Sequence, residues 1–343
     1  MHQKHYRKWK RCFMTIKQKS SFGAVIILLI GTILWAVQAG SLSMSIPAFL
    51  SGVFSGGNEM VNVVIDLRFP RIIIALLAGA ALSVSGLLLQ AVMRNPLADA
   101  GVIGISAGAK FFSFCDYFIF TGIIFLVATF FFYWGSTGLF FLVFLFSYRS
   151  DFNPLRFIII GIAINAFFTG LSDALSSQVA LVSSQSASSA ASLAMKKWSD
   201  VETLLIYVTI GLICALLLAK WCNVLGLENK MARGFGVPVN KTRIWLALIA
   251  VLLASITTAV VGVIAFVGLL VPHIARKLVG GNYQILVPFS ILFGALLLLF
   301  ADTLGRTLFQ QMEIPASVIM LIIGGPFLIF LMRKGDFYGS KGR

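Results

Sequence analysis

Acidic residues are scarce in this chain: 12 Asp and Glu stand against 27 Lys and Arg in 343 residues. Charged residues of both signs make up only 11%. A soluble domain carries roughly 25%, so a soluble fold is excluded. Histidine occurs three times and cysteine four times, as Cys12, Cys115, Cys214 and Cys222. The cysteines form no CxxC or other metal-like spacing, and three lie in or beside apolar stretches as small packing residues. No nucleotide-binding loop, nucleophile elbow or carboxylate pair is present. The chain therefore has no catalytic residues to assign, and neither a cofactor nor a bound metal is expected. An ion-coupled secondary transporter needs buried acids. Of the 12 acidic residues, only Asp302 reads as a buried acid of an apolar span.

What is abundant is apolar sequence. Hydrophobic residues reach 59% and the mean hydropathy is +0.96. Crossing ~30 Å of hydrocarbon takes about 20 apolar residues per helix, and the chain has many such runs. They are continuous rather than alternating, so a β-barrel is excluded and an all-α polytopic membrane protein is expected.

About ten transmembrane helices are predicted: Phe22–Gln38, Phe69–Met93, a short Val102–Phe114, one within Ile119–Phe146, Leu155–Ala174, Leu204–Trp221, Ile244–Ile264, a short Gly268–Val279, Ile285–Leu304 and Pro315–Met332. The Ile119–Phe146 stretch is long enough to hide a kinked or re-entrant piece near Gly135-Ser136-Thr137-Gly138, and an eleventh span there would change the count. No A-x-A-type cleavage site follows Trp35-Ala36-Val37, so the first run reads as an uncleaved span. Residues 1–21 form a basic cytoplasmic tail, 22–333 the membrane domain and 334–343 a C-terminal tail. The Ser- and Ala-rich Ala174–Asp200 reads as an outer loop, either a flexible connector or a short helix at the pore mouth.

The net charge of +15 invites a nucleic-acid reading, which the placement of the cations excludes. Seven crowd the first 19 residues, and most others lie in short loops. With both termini cytoplasmic, all but six of the 27 fall on the inside, as the positive-inside rule requires. The six exceptions are Arg68, Arg71, Lys110, Lys196, Lys197 and Arg306.

The exceptions draw attention to the outer face. Arg68-Phe69-Pro70-Arg71 reads as the start of a span, since proline suits a first helical turn. Its arginines either meet an acidic partner outside or reach up to lipid phosphates. Asp302 and Arg306 lie one turn apart and can pair. Gly79, Gly86 and the small residues Ala78, Ala80, Ala81, Ser83 and Ser85 let helices approach closely. Pro96, in Asn95-Pro96-Leu97-Ala98-Asp99, marks a cytoplasmic turn.

The most informative stretch is Val267–Gly281, in which Pro272, His273, Arg276 and Lys277 follow a strongly apolar region. His273 reads as a helix-terminal structural residue, because a lone histidine builds no metal site. The polar loop at about 225–243 contains Glu228, Arg233, Gly234, Gly236, Val237 and Pro238. It is long enough for two short helices joined by a turn at the glycines, where φ > 0 is expected. Such a loop either docks a soluble motor or simply connects two spans. The run opened by Arg71 and ended by Asn95-Pro96 faintly matches the one opened by Arg243 and ended by Val271-Pro272, in opposite orientation. That is the arrangement of an inverted repeat.

Arg68-Phe69-Pro70-Arg71, Asn95-Pro96-Leu97-Ala98-Asp99 through Gly104-Ile105-Ser106-Ala107-Gly108, Arg233-Gly234-Phe235-Gly236-Val237, Val271-Pro272-His273-Ile274-Ala275-Arg276, Ala301-Asp302-Thr303-Leu304-Gly305-Arg306 and Ile323-Gly324-Gly325-Pro326-Phe327 together resemble the FecCD family. These are permease subunits of ABC importers for iron-siderophores, haem and cobalamin. The likeness covers about residues 60 to 333. It implies a type II ABC importer permease of ten spans, two permease subunits around one path, two cytoplasmic ATPases and an extracellular substrate-binding lipoprotein. A homodimer is preferred, because one chain can supply both halves. The resemblance further implies that Arg68, Arg71 and Arg306 face acids on the binding protein, and that Glu228 to Val239 form the coupling helices. Pro96, Pro272, His273, Asp302 and Pro326 take structural or gating roles. Trp198-Ser199-Asp200 and Arg276-Lys277-Leu278-Val279-Gly280-Gly281-Asn282-Tyr283 are worded most like haem permeases of Gram-positive cocci. Haem is therefore the expected cargo and a ferric siderophore the alternative. The chain departs from the family pattern after Gly108, where Lys110, Phe111, Phe112, Phe114 and Asp116 replace small residues. Lys110 either lines the path or snorkels outward.

Overall fold

Continuous apolar sequence with small residues at helical spacing must satisfy its backbone internally and pack by close approach. The computed structural model does this with helices alone among the residues it describes, which are 14–39, 59–101, 111, 154–182, 193–194, 196–226, 231, 234, 238–308 and 313–333. Eight helices run through the described residues: α1 Ile16–Gln38, α2 Glu59–Met93, α3 Pro154–Val182, α4 Trp198–Leu225, α5 Val239–Val261, α6 Val267–Val279, α7 Tyr283–Thr307 and α8 Ala316–Arg333. They correspond to eight of the ten expected spans. The third and fourth, with Lys110, lie outside the described residues. Phe111 is described, and its ring stands 5.3 Å from that of Phe168 on α3.

Helix α2 is the hub and packs against α7, α5, α4 and α6. Its small residues make this possible. A Cβ on Gly79 would strike the Gly294 carbonyl of α7, and one on Gly86 would strike the Gly268 backbone of α6. The serines bind across the same seams, Ser83 Oγ to Ser290 O at 2.7 Å and Ser85 Oγ to Ala250 O at 2.7 Å. Without a hydrophobic force between helices in lipid, this backbone proximity and hydrogen bonding hold the bundle. Large apolar side chains on α1, α3, α4 and α8, such as Ile27, Phe167, Leu217 and Ile322, are left exposed. That is the pattern of a surface facing hydrocarbon.

Several boundaries differ from the sequence reading. Helix α1 starts at Ile16, within the expected tail, because Thr15 and Gln18 form a reciprocal capping box. Helix α2 starts at Glu59, so Pro70 lies inside it rather than in a first turn. The carbonyl that Pro70 leaves without its N–H partner is that of Asp66, an exposed residue, so solvent can satisfy it. Helix α3 continues to Val182 and α4 begins at Trp198, so both ends of the expected Ala174–Asp200 loop are helical. No Gly or Pro interrupts Leu175–Val182. At the start of α4, Asp200 accepts the Lys197 N–H at 3.0 Å. Helix α5 stops at Val261, since Gly262 adopts φ 85.

Candidate functional site at the Arg71 end of the bundle

Arg68, Arg71 and Arg306, three of the expected exceptions to the charge rule, converge at one end of the bundle, and the structure gives each an internal partner. Arg71, on α2, grips Asp302 of α7 with Nε at 3.0 and 3.2 Å from the two carboxylate oxygens and Nη2 at 2.9 Å. This is the planar fork geometry that arginine makes and lysine cannot. Arg71 Nη1 donates to Glu313 at 2.7 Å, in the connector between α7 and α8. Arg306, one turn after Asp302, stands with Nε 3.6 Å from the same carboxylate. The expected i,i+4 pair is therefore present, but Asp302 bonds more closely to Arg71.

Two of the three arginines, Arg68 and Arg306, also finish α1. A helix leaves its last four carbonyls without internal donors, and α1 has no basic residue in its last turn. Arg68 Nη1 donates to Val37 O at 2.6 Å. Arg306 donates to Ala36 O at 3.2 Å and to Ala39 O at 3.4 Å. Cations on α2 and α7 thus cap α1 from outside the helix, where its dipole is negative. Ring contacts hold the rest of α1 on α7: Phe22 lies edge-on to Phe289 at 5.0 Å, and Trp35 lies 5.8 Å from Phe300.

Burial separates the members of this cluster. The Asp302, Arg306 and Arg71 side chains are 1%, 4% and 10% exposed, whereas Glu313 is 54% exposed. The sequence reading looked for acidic partners beyond the protein. Among the described residues, Asp302 engages both Arg71 and Arg306 from within the chain, and Glu313 engages Arg71. Glu313 was missed. A rare acid in a short connector just after Arg306 was the available signal.

Pro272 explains a second cluster, toward the opposite end. It lies inside α6 and removes the donor for the carbonyl four residues back, that of Gly268. Gln90 of α2 supplies the replacement, with Nε2 3.1 Å from Gly268 O. Gln90 Oε1 in turn accepts from Arg276 Nη1 at 2.6 Å, and Arg276 reaches Tyr283 OH at 3.4 Å. Asn223 of α4 binds both Asn282 and the Tyr283 N–H at 2.9 Å. His273 lies in the middle of α6, not at its end, because the helix continues through Pro272 to Val279. Its ring sits edge-on to Phe327 of α8 at 5.7 Å.

The Asn95–Asp99 turn forms as expected. Leu97 N–H donates to Asn95 Oδ1 at 2.9 Å, Ala98 N–H bonds Asn95 O at 3.1 Å, and Pro96 is exposed. Asp99 turns inward against Gly268, in the first turn of α6. Burial pushes its carboxyl up to about 6, against the opposing pull of the Ala100 and Gly101 N–H groups. Pro326 lies inside α8, next to Gly324, whose missing Cβ makes room for the Phe266 ring. Phe266 itself carries φ 70 where α6 begins.

Of the polar loop, Glu228, Arg233, Gly236 and Val237 lie outside the described residues. Pro238 caps α5, its carbonyl accepting the Thr242 N–H at 3.0 Å. Gly234 is helical and a Cβ there would meet open space. It is therefore not the φ > 0 turn residue that the glycine pattern suggested.

The FecCD transport family model matches residues 27–334, nearly the full length of this helical bundle. The chain belongs to the FecCD transport family. Among its relatives, "Probable heme-iron transport system permease protein IsdF" of Staphylococcus aureus strain MSSA476 is 41% identical over 317 residues, covering 92% of this chain and 96% of that one. The strain Newman protein of the same name matches to the same extent. A solved metal-chelate type ABC transporter in an inward-facing conformation superposes with a TM-score of 0.76 at 27% identity, over 92% of this chain and 99% of the other. PsaBC from Streptococcus pneumoniae in complex with Fab shares the fold, with a TM-score of 0.53 at 17% identity, over 83% and 95%. As a FecCD member the chain is an integral membrane transport subunit of the ABC permease type, not an enzyme.

Proposed function

We propose that this permease carries haem across the cytoplasmic membrane. The observation that carries this reading is the 41% identity to a heme-iron permease over nearly the full length of both chains. Two copies enclose one path, two cytoplasmic ATPases drive it through the loop at 225–243, and an extracellular lipoprotein delivers the cargo. The Arg71 end faces outward and both termini face the cytoplasm. The supporting argument is that all but six of the 27 cations then lie inside. Arg68, Arg71 and Arg306 dock the lipoprotein. Among the described residues, three cations stand against two carboxylates in this cluster, and the positive balance draws an acidic face and sets its register.

The test is reconstitution of permease, ATPase and binding protein in lipid nanodiscs. Haem-loaded binding protein is expected to stimulate ATP hydrolysis above the unloaded level, and ferric siderophores are not. The likeness to a metal-chelate type transporter favours the siderophore reading as the second choice. Stimulation by a ferric siderophore and not by haem would establish it in place of haem.

A further inference from the structure

We propose that Glu313 is a placeholder acid: it occupies, on Arg71, the position that a carboxylate of the docking protein takes when it binds. The inference rests on the docking role assigned above and identifies the bond that docking exchanges.

The two acids on Arg71 are not equivalent. Asp302 holds Nε and Nη2 from the interior and is 1% exposed. A carboxylate so buried cannot leave without stranding two guanidinium groups. Glu313 makes one bond, to Nη1, and more than half of its side chain meets solvent. Water already competes for that bond, so its loss is nearly neutral. Nη1 is the edge of Arg71 that an incoming acid can take.

The connector suits the exchange. Ile314 N–H bonds Gly305 O at 3.1 Å, which pins the backbone next to Glu313 onto the end of α7. Gly305 is required there, because a Cβ would strike the Ile314 carbonyl. The Val318 and Ile319 N–H groups bond Pro315 O at 3.0 and 3.4 Å as α8 begins. The Glu313 side chain is therefore free to swing while its backbone stays fixed. An internal acid of this kind weakens docking by competition and keeps Arg71 in its fork between encounters. It also makes binding depend on a partner that presents a carboxylate at that point.

The test measures binding of the cognate substrate-binding protein, freed of its lipid anchor, to the nanodisc-embedded transporter. Wild type, Glu313→Gln, Glu313→Asp and Arg68→Glu are compared. Glu313→Gln removes the competing charge and is expected to tighten binding by about two- to fivefold at low salt, the scale of one exposed ion pair. The gain shrinks at about 1 M salt, where the Debye length is about 3 Å. Glu313→Asp keeps the charge and stays near wild type. If Glu313→Gln leaves affinity unchanged or weakens it while Arg68→Glu weakens it, docking uses the arginines without displacing Glu313 and the placeholder role is wrong. If neither variant changes affinity or its salt dependence, the docking role itself is wrong and this inference falls with it.

Discussion

Asp302→Asn isolates the charge at the centre of the arginine cluster while keeping the shape of the side chain. Asp302 is 1% exposed, takes three hydrogen-bond contacts from Arg71 and stands 3.6 Å from Arg306. Asparagine still offers one acceptor, but it turns an amide donor toward guanidinium donors and removes the only buried negative charge of the cluster among the described residues. Breaking a buried pair by neutralising one partner costs about 3–5 kcal/mol, because the remaining charge is left without compensation. The second acid on the same arginine provides an internal control. Glu313 is 54% exposed, and water takes over most of its role, so Glu313→Gln costs about 0–1 kcal/mol. The measurement is unfolding of the purified protein by SDS titration from mixed micelles, followed by tryptophan fluorescence. The midpoint for Asp302→Asn is expected well below those of wild type and Glu313→Gln, and the last two nearly coincide. If Asp302→Asn unfolds with wild-type stability, or if the two variants lose the same amount, burial does not decide the strength of these pairs and the account of the cluster fails.

Further outcomes follow from the same contacts. Gly86→Ala drives a methyl into the Gly268 backbone and is expected to cost about 1–3 kcal/mol or abolish folding, whereas Gly325→Ala meets nothing and stays near wild type in the same titration. Asp99 has a folded pKa of about 6, above its usual 3.8, so the folded state holds its proton longer than the unfolded chain. Stability contributed by this group is therefore present at low pH and lost as pH rises between these two values. Asp99→Asn should flatten that part of the stability-versus-pH curve, and an unchanged slope would remove Asp99 as its source. Gly234→Ala replaces a helical glycine that has open space beside it, so it should leave stability unchanged or raise it by up to about 1 kcal/mol. A fall in ATP-driven uptake by that stable variant would assign the surface at Gly234 to ATPase contact, and wild-type uptake would remove it from that contact.

Much was legible without tertiary information. Mean hydropathy and continuous apolar runs specify a helical membrane protein, because only helices satisfy every backbone group within such a run. Gly79, Gly86, Ser83 and Ser85 announced a close-packed seam, since small residues at helical spacing have little other use in lipid. The Asp302–Arg306 pair was readable because i,i+4 positions are neighbours on any helix. Local rules did less well where the chain made a choice among conformations that each obeyed them. Pro70 suits a first turn and is also tolerated inside a helix whose freed carbonyl belongs to an exposed residue. Gly234 can enter a φ > 0 turn and is helical instead.

The tertiary structure alone decided which groups the Arg68, Arg71 and Arg306 side chains meet. Arg68, Arg71 and Arg306 could be marked as exceptions to the positive-inside rule from their positions in the chain. Whether their acids lie inside or outside the protein could not. Asp302 lies 231 residues from Arg71 and Glu313 lies 242 from it, and Gln90 lies 178 residues from the Gly268 carbonyl that Pro272 released. Local periodicity sets which face of a helix a side chain occupies. Which remote face meets it, and how far the pair is shielded from water, follows only from the crossing of α2 with α6 and α7. That shielding separates Asp302, locked beneath the surface, from Glu313 on the same arginine, which stays within reach of solvent.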